Sequence, residues 1–553
     1  MNRNFRLLVF LIFSGLQAQA QFTHADTLRG SNGSGRSWWN AVHYELFVDV
    51  DPQTKTLLGS NVISFYGLGS EPGQSLQIDL QEPMRIDSVI LQQDQRSWLI
   101  SVSQIRKDGA AWFVPFPKEA RTGFSRGLLF RMQVFYHGKP KEAVNAPWDG
   151  GFVWKKDAAR LPWAGVACQG LGASSWYPCK DSQLDEPDSA RMHFTCPSDV
   201  SCISNGRLTS IAKKDLERTT YTWTVANPIN SYCIVPYVGN YVHIRDSYDG
   251  LNGPLDIDYW VLAENREKAA THFGDVKKTL EALEYWFGPY PFYADGYKLV
   301  DAPYLGMEHQ SAIAYGNGYV NGYAGTDLSG TGVGLKWDFI IVHESGHEWF
   351  GNNITSGDIA DMWIHEAFTD YSETLFTEYW FGQNDANAYV QGLRKNIRND
   401  IPIIGTYGVN NEGSGDMYYK GANMLHTIRQ LVANDSLFRE MLRDLNREFY
   451  HQTVTSAQIE NYMNTYLSMN LKPVFDQYLR TTQVPKLTTV YKRRKVAYRW
   501  SQVNPELEKM LIDFTGIANT DFRKLRRNQQ ALKPDPNLYI QVENLKFPKR
   551  MKL

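Results

Sequence analysis

The sequence predicts a multidomain α+β chain: an antiparallel β-sandwich or saddle in the N-terminal half, a mainly helical middle domain and a small C-terminal β module. Three observations carry that expectation. The chain has 553 residues, too many for one ordinary hydrophobic core, since compact domains mostly hold roughly 100–200. From about His43 to Arg245 much of the pattern alternates with period two. Near residue 263 the apolar spacing becomes that of a helix.

In the first half, Tyr44, Leu46, Val48 and Val50 alternate with Glu45, Phe47 and Asp49, and Leu128, Phe130, Met132, Val134 and Tyr136 repeat the alternation. Side chains on a strand point to opposite faces in turn, so this pattern reads as half-buried antiparallel sheet. Phe273, Val276, Leu280, Leu283 and Phe287 then fall on one face of a helix that Gly288-Pro289 ends. The helical domain runs to about Val484, after which Pro485 and short β-like runs mark the last module. The expected boundaries are 21–245, 246–484 and 485–553, with no internal repeat.

Residues 1–20 read as a secretory signal peptide. Arg3 and Arg6 precede an apolar stretch from Leu7 to Leu16, followed by Ala18-Gln19-Ala20. Cleavage is expected after Ala20, which implies a secreted or periplasmic protein; an N-terminal membrane anchor that stays attached is the alternative. No later segment reaches about 18 uninterrupted apolar residues, so no integral membrane span is expected after cleavage.

With 43% apolar and 21% charged residues the chain is a folded protein and not a largely disordered one. Lys plus Arg (57) nearly balances Asp plus Glu (59), so no global field draws it to nucleic acid or anionic lipid. The five cysteines, Cys168, Cys179, Cys196, Cys202 and Cys233, lie in one stretch. An oxidising compartment permits disulfides among them, but the odd count leaves at least one thiol over, and Cys196 and Cys202 are only the nearest pair.

The chemistry centres on His343-Glu344-Ser345-Gly346-His347, preceded by the apolar run Phe339-Ile340-Ile341-Val342. Histidines four apart stack on one helical face and reach a single ion, while Glu344, turned about 100° from His343, approaches water at the metal instead. Gly346 is a weak helix former at this place. A catalytic zinc site needs a third protein ligand and an open position. Glu366, in the helix-like run Trp363 to Tyr371, supplies it, with eighteen residues separating it from His347. The reading is one zinc ion per chain, with His343, His347 and Glu366 as ligands and Glu344 as catalytic base.

These motifs resemble the aminopeptidase N family of zinc exopeptidases, which are gluzincin aminopeptidases related to leukotriene hydrolase/aminopeptidases. That family follows the same two-histidine helix by eighteen residues with a glutamate in a Trp-Leu-Asn-Glu-Gly-Phe segment. Tyr177-Pro178-Cys179-Lys180-Asp181 is similar to the start of its Phe-Pro-Cys-x-Asp-x-Pro signature, with the next proline displaced to Pro187. His43-Tyr44 with Gly59 and Phe65, Gly288-Pro289-Tyr290-Pro291-Phe292, and Trp349-Phe350-Gly351-Asn352 also resemble family segments.

The resemblance implies a thermolysin-like catalytic domain and an aminopeptidase acting on peptides with a free N-terminus. It places Gly306, Met307 and Glu308 in the segment whose glutamate receives the substrate's amino group. Tyr418, two residues before Lys420-Gly421, takes the place of the tyrosine that steadies the tetrahedral intermediate, with Tyr419 adjacent. Gln169 resembles a glutamine near the first-residue pocket. Leu305, His309, His365 and Ala367 depart from the family pattern. Asp370, one turn beyond Glu366, fits either an acceptor for a ligand imidazole or a helix-surface carboxylate. A zinc endopeptidase and a non-catalytic peptide-binding protein of the same fold are the rival readings.

Overall fold

The computed structural model describes residues 22–122, 124–492, 495–520 and 533–546. The expected signal peptide, 1–20, lies outside the described residues. No helix among the described residues is long and apolar enough to cross a membrane.

The alternation in the first half becomes sheet. Strand Trp39–Asp51 buries Trp39, Ala41, Tyr44, Leu46, Val48 and Val50; a bulge between Ala41 and His43 accounts for the change of phase. It pairs antiparallel with Thr56–Gly67, setting Ala41 opposite Phe65 and Val48 opposite Gly59. The eight-stranded sheet runs, in spatial order, Arg207–Lys213, Arg218–Val225, Ser189–Pro197, Trp39–Asp51, Thr56–Gly67, Leu129–Gly138, Arg85–Gln93 and Arg96–Ser101. Only the pairing of Trp39–Asp51 with Ser189–Pro197 is parallel. A four-stranded sheet including Gly151–Lys156 and Pro162–Ala167 shares its apolar core.

All five cysteines are buried within this half as free thiols. The disulfides that an oxidising compartment permits are therefore not formed; Cys196 Sγ instead approaches the carbonyl of Val200 at 3.7 Å.

Strand Tyr241–Gly250 crosses the boundary expected at 245 and opens a five-stranded sheet, which continues through Gly253–Leu262, Tyr297–Asp301, Ile313–Tyr315 and, at its edge, Gly306–Met307. Val300, Met307 and Ala314 pack into the core of the β half, whereas Ile257, Leu299 and Ile313 pack into the core of the helical region. The sheet is thus shared by both cores, and its edge strand lies at their junction.

Four helices frame the centre of the helical region: α1 (Gly274–Phe287), α2 (Phe339–Gly346), α3 (Trp363–Phe381) and α4 (Tyr419–Val432). Gly288, at φ 95°, ends α1 as its sequence predicts. The C-terminal segment forms a three-stranded sheet of Lys495–Ser501, Lys486–Lys492 and Gln541–Lys546. A helix not expected in a β module, Pro505–Thr515, accompanies it; Asn504 caps it by accepting from Leu507 N at 2.8 Å. Its Leu507 and Leu511 join the same apolar core as α3 and α4, so the module has no separate core.

Candidate metal centre and substrate cleft

Helix α2 starts where Asp338 accepts from Ile341 N at 3.2 Å. Tyr315 Oη, at 2.8 Å, and Asn317 Nδ2, at 2.9 Å, fix the same buried carboxylate. The helix ends at Gly346, and His347 follows at its C-cap still in right-handed helical conformation. The four-residue stacking of His343 and His347 is thereby kept. Gly346 is needed for close approach: a Cβ there would lie 2.6 Å from Ser372 Oγ and 3.1 Å from Thr369 Cγ2 on α3. The residue that weakens the helix in isolation lets α2 and α3 meet.

Each imidazole is oriented by its Nδ1. His343 Nδ1 donates to Glu373 Oε1 at 2.6 Å, and His347 Nδ1 donates to the carbonyl of Phe350 at 3.0 Å. Both Nε2 atoms are left as acceptors facing Glu366 Oε2, at 3.9 Å from His343 and 3.4 Å from His347. Ligands about 2.1 Å from a tetrahedral zinc ion stand about 3.4 Å apart, so the three groups fit the ion. Glu366 Oε2 is buried with no hydrogen-bond partner, as a carboxylate oxygen reserved for a cation would be.

His347 and Glu366 shift each other's ionisation across the site. Burial disfavours charge on His347, yet Glu366 raises it to about 10; burial likewise opposes ionisation of Glu366, yet His347 and His343 lower it to about 2. Glu344 points into the same space, and burial pushes it up to about 7 against the pull of the histidines. Gly306 leaves room for it, since a Cβ there would come within 2.7 Å of Glu344 Oε1.

Glu308 follows the edge strand Gly306–Met307 and is 3% exposed. Its Oε1 accepts from Gln169 Nε2 at 2.6 Å and from Tyr232 Oη at 3.0 Å, both from the β half. Gln169 Nε2 also lies 3.3 Å from Glu366 Oε1. Asn352, in the segment after α2, donates to the Glu308 carbonyl at 2.9 Å. His309 turns away to Tyr237, its Nδ1 2.6 Å from the hydroxyl, and burial lowers its pKa to about 3. The substitution of histidine there leaves Glu308 in the cleft.

A cavity of about 570 Å³ joins these groups. The sequence-selected residues Gln169, Gly306, Met307, Glu308, His343, Glu344, His347, Glu366, Tyr418 and Tyr419 all line it. Tyr418 sits at the start of α4 with its ring 6.2 Å from that of His343. Burial, then Glu366 and Glu308, hold its hydroxyl protonated far above the ordinary tyrosine range. Tyr419 faces Asp370, Glu373 and Tyr323 instead.

One expectation needs correction. Asp370 is not an acceptor for a ligand imidazole, because Glu373 and the Phe350 carbonyl fill those places; neither is it on the helix surface, being 1% exposed. Glu373, seven residues beyond Glu366 and so two turns along the same face of α3, was legible from spacing. Tyr232 and Trp148, which lines the cavity while 62% exposed, carry no such signal. His365 also points elsewhere, its Nε2 accepting from Ser356 N at 2.8 Å.

Two histidines four residues apart, a glutamate from the next helix and a second glutamate beside the first histidine form a candidate metal centre. Residues 272–478 match the family model described as Peptidase family M1 domain. It is 24% identical over 358 residues to leukotriene A-4 hydrolase of Xenopus laevis, covering 59% of this chain and 54% of that protein. To aminopeptidase N of Lactobacillus delbrueckii subsp. lactis it is 21% identical over 508 residues, covering 83% and 54%. The chain thus spans about half the length of these curated relatives. The crystal structure of an M1 zinc metallopeptidase from Deinococcus radiodurans superposes with a TM-score of 0.66 at 19% identity, over 82% of this chain and 96% of that one. That likeness establishes the two-domain fold.

Proposed function

We propose that the chain is a secreted or periplasmic zinc aminopeptidase that removes N-terminal residues from peptides. The observation that carries the reading is the position of Glu308: a buried carboxylate whose oxygen lies within 4.8 Å of ligand atoms of Glu344 and His347. A carboxylate so placed pairs with a substrate ammonium and fixes the peptide by its free end, one residue from the metal. Gln169 and Tyr232 hold that carboxylate from the β half.

His343, His347 and Glu366 hold the zinc. When bound, the ion supplies Lewis acidity that polarises the scissile carbonyl and makes water acidic enough to lose a proton near neutral pH. Glu344 accepts that proton as water adds to the carbonyl carbon, then delivers it to the departing amine as the C–N bond breaks. The Tyr418 hydroxyl, kept protonated by its surroundings, donates to the developing oxyanion. The leader pattern of residues 1–20 supports the location.

The test is a panel of aminoacyl fluorogenic substrates, free and N-acetylated, assayed with and without a chelator. Free substrates should turn over, acetylated ones should be almost inert, and chelation should abolish the rate until zinc is restored. Equal cleavage of acetylated peptides identifies an endopeptidase; no cleavage by zinc-loaded protein identifies a binding protein.

A further inference from the structure

Asp370 lines the cleft, is 1% exposed, and offers two carboxylate oxygens with no hydrogen-bond partner. Buried carboxylates are normally satisfied, so such a group calls for a donor from outside the protein. The two groups closest to it, His343 and Glu373, have none to give. Asp370, His343 and Glu373 lie within 4.8 Å of one another through their ligand atoms, but the Nδ1–H of His343 is committed to Glu373, whose other oxygen accepts from Tyr389 Oη at 2.6 Å. Among the described residues, no lysine or arginine lines the cavity.

The position of Asp370 relative to Glu308 assigns it to one end of the substrate. Glu308 groups with Glu344 and His347, whereas Asp370 groups with His343. A peptide whose ammonium is held at Glu308 and whose first carbonyl is at the metal continues away from Glu308, across the His343 side. This end is walled by aromatic rings: Tyr323 and Phe339 are in edge contact at 5.2 Å, Phe339 stacks on His343 at 5.0 Å, and Tyr419 adjoins Asp370. Rings suit a methylene stem and a cationic head, and an acid at the base suits the charge.

We propose that Asp370 is a specificity-determining residue that receives a cationic side chain, that of lysine or arginine, on the second residue of the substrate. The proposal rests on the aminopeptidase reading for the direction of the peptide.

It is tested by equilibrium binding, which needs no turnover. Calorimetric titrations of the full-length, zinc-loaded Glu344→Gln chain with Ala-Lys-Ala and Ala-Leu-Ala compare peptides that differ only at the second residue. A charge-assisted contact predicts that the lysine peptide binds about tenfold tighter or more. Adding Asp370→Asn should bring the two affinities within about twofold, and adding Asp370→Lys should favour Ala-Glu-Ala instead. Zinc content and circular dichroism accompany each variant, and Asp370→Ser replaces any that does not fold. Equal affinities before Asp370 is changed, or a lysine preference that survives its change, overturn the proposal. Parallel kcat/KM ratios for the unsubstituted enzyme separate the two readings. Hydrolysis without preference removes this proposal alone, whereas preferential binding without hydrolysis of any peptide removes the aminopeptidase reading alone.

Discussion

The β half and the cleft both bury charge, but in different ways. In the β half buried charges meet each other: Arg36 Nη2 bonds to Asp79 Oδ2 at 2.5 Å, and Lys180 pairs with Asp185. In the cleft Glu308, Glu344, Glu366 and Asp370 are all buried, and among the described residues no lysine or arginine lines the cavity. Breaking a buried pair is costly, and leaving a buried charge unpaired is costlier still unless a ligand completes it. These two pairs of the β half are closed on themselves. The cleft is open, and the cations that complete it, a zinc ion and a substrate ammonium, are those of the proposed reaction.

The contrast predicts different losses. The largest should follow Glu344→Gln, which removes the base and leaves the ligands: turnover should fall by on the order of 10³–10⁴ with zinc content unchanged. Metal analysis beside steady-state kinetics checks this, and loss of zinc would mean that Glu344 has been given the wrong role. Glu308→Ala should lower kcat/KM for free aminoacyl substrates by roughly 10²–10⁴, about 3–5 kcal/mol, since it deprives the ammonium of its partner. Tyr418→Phe should reduce kcat about 100-fold with little change in substrate affinity, because the hydroxyl acts on the transition state. A near-normal kcat would turn attention to Tyr419.

Smaller effects test the supporting contacts. Glu373→Gln weakens the acceptor that orients His343 and should lower zinc affinity about 10–100-fold, measured by competition with a chelator. Asp79→Asn leaves Arg36 without its counter-charge and should cost about 3–5 kcal/mol of stability in denaturant unfolding. Its zinc content should stay intact. If Asp79→Asn instead emptied the metal centre, the two regions would not be electrostatically separate.

How far the sequence foretold this arrangement follows from the range of the interactions. His343, Glu344 and His347 share one helix, so their convergence is fixed by helical periodicity and could be read directly. Glu366 required a second helix, and its spacing located it. Sheet alternation likewise exposed the strands Trp39–Asp51 and Leu129–Gly138. What was hidden depends on tertiary approach: Tyr232 reaches Glu308 across 76 residues, and Gly346 matters through Ser372 on another helix. Asp370 was misread because spacing gives the face of a helix but not which neighbour has already claimed the imidazole. The helix Pro505–Thr515 was missed although Asn504-Pro505 is a capping signal, because β-like runs on both sides drew the reading towards sheet.

The central claim, that the open cleft is completed by zinc between three buried groups, is tested most directly by anomalous scattering from crystals of the zinc-loaded protein at the zinc edge. One peak per chain is predicted, about 2.0–2.2 Å from His343 Nε2, His347 Nε2 and Glu366 Oε2. Stoichiometric zinc with its peak anywhere else would contradict the account.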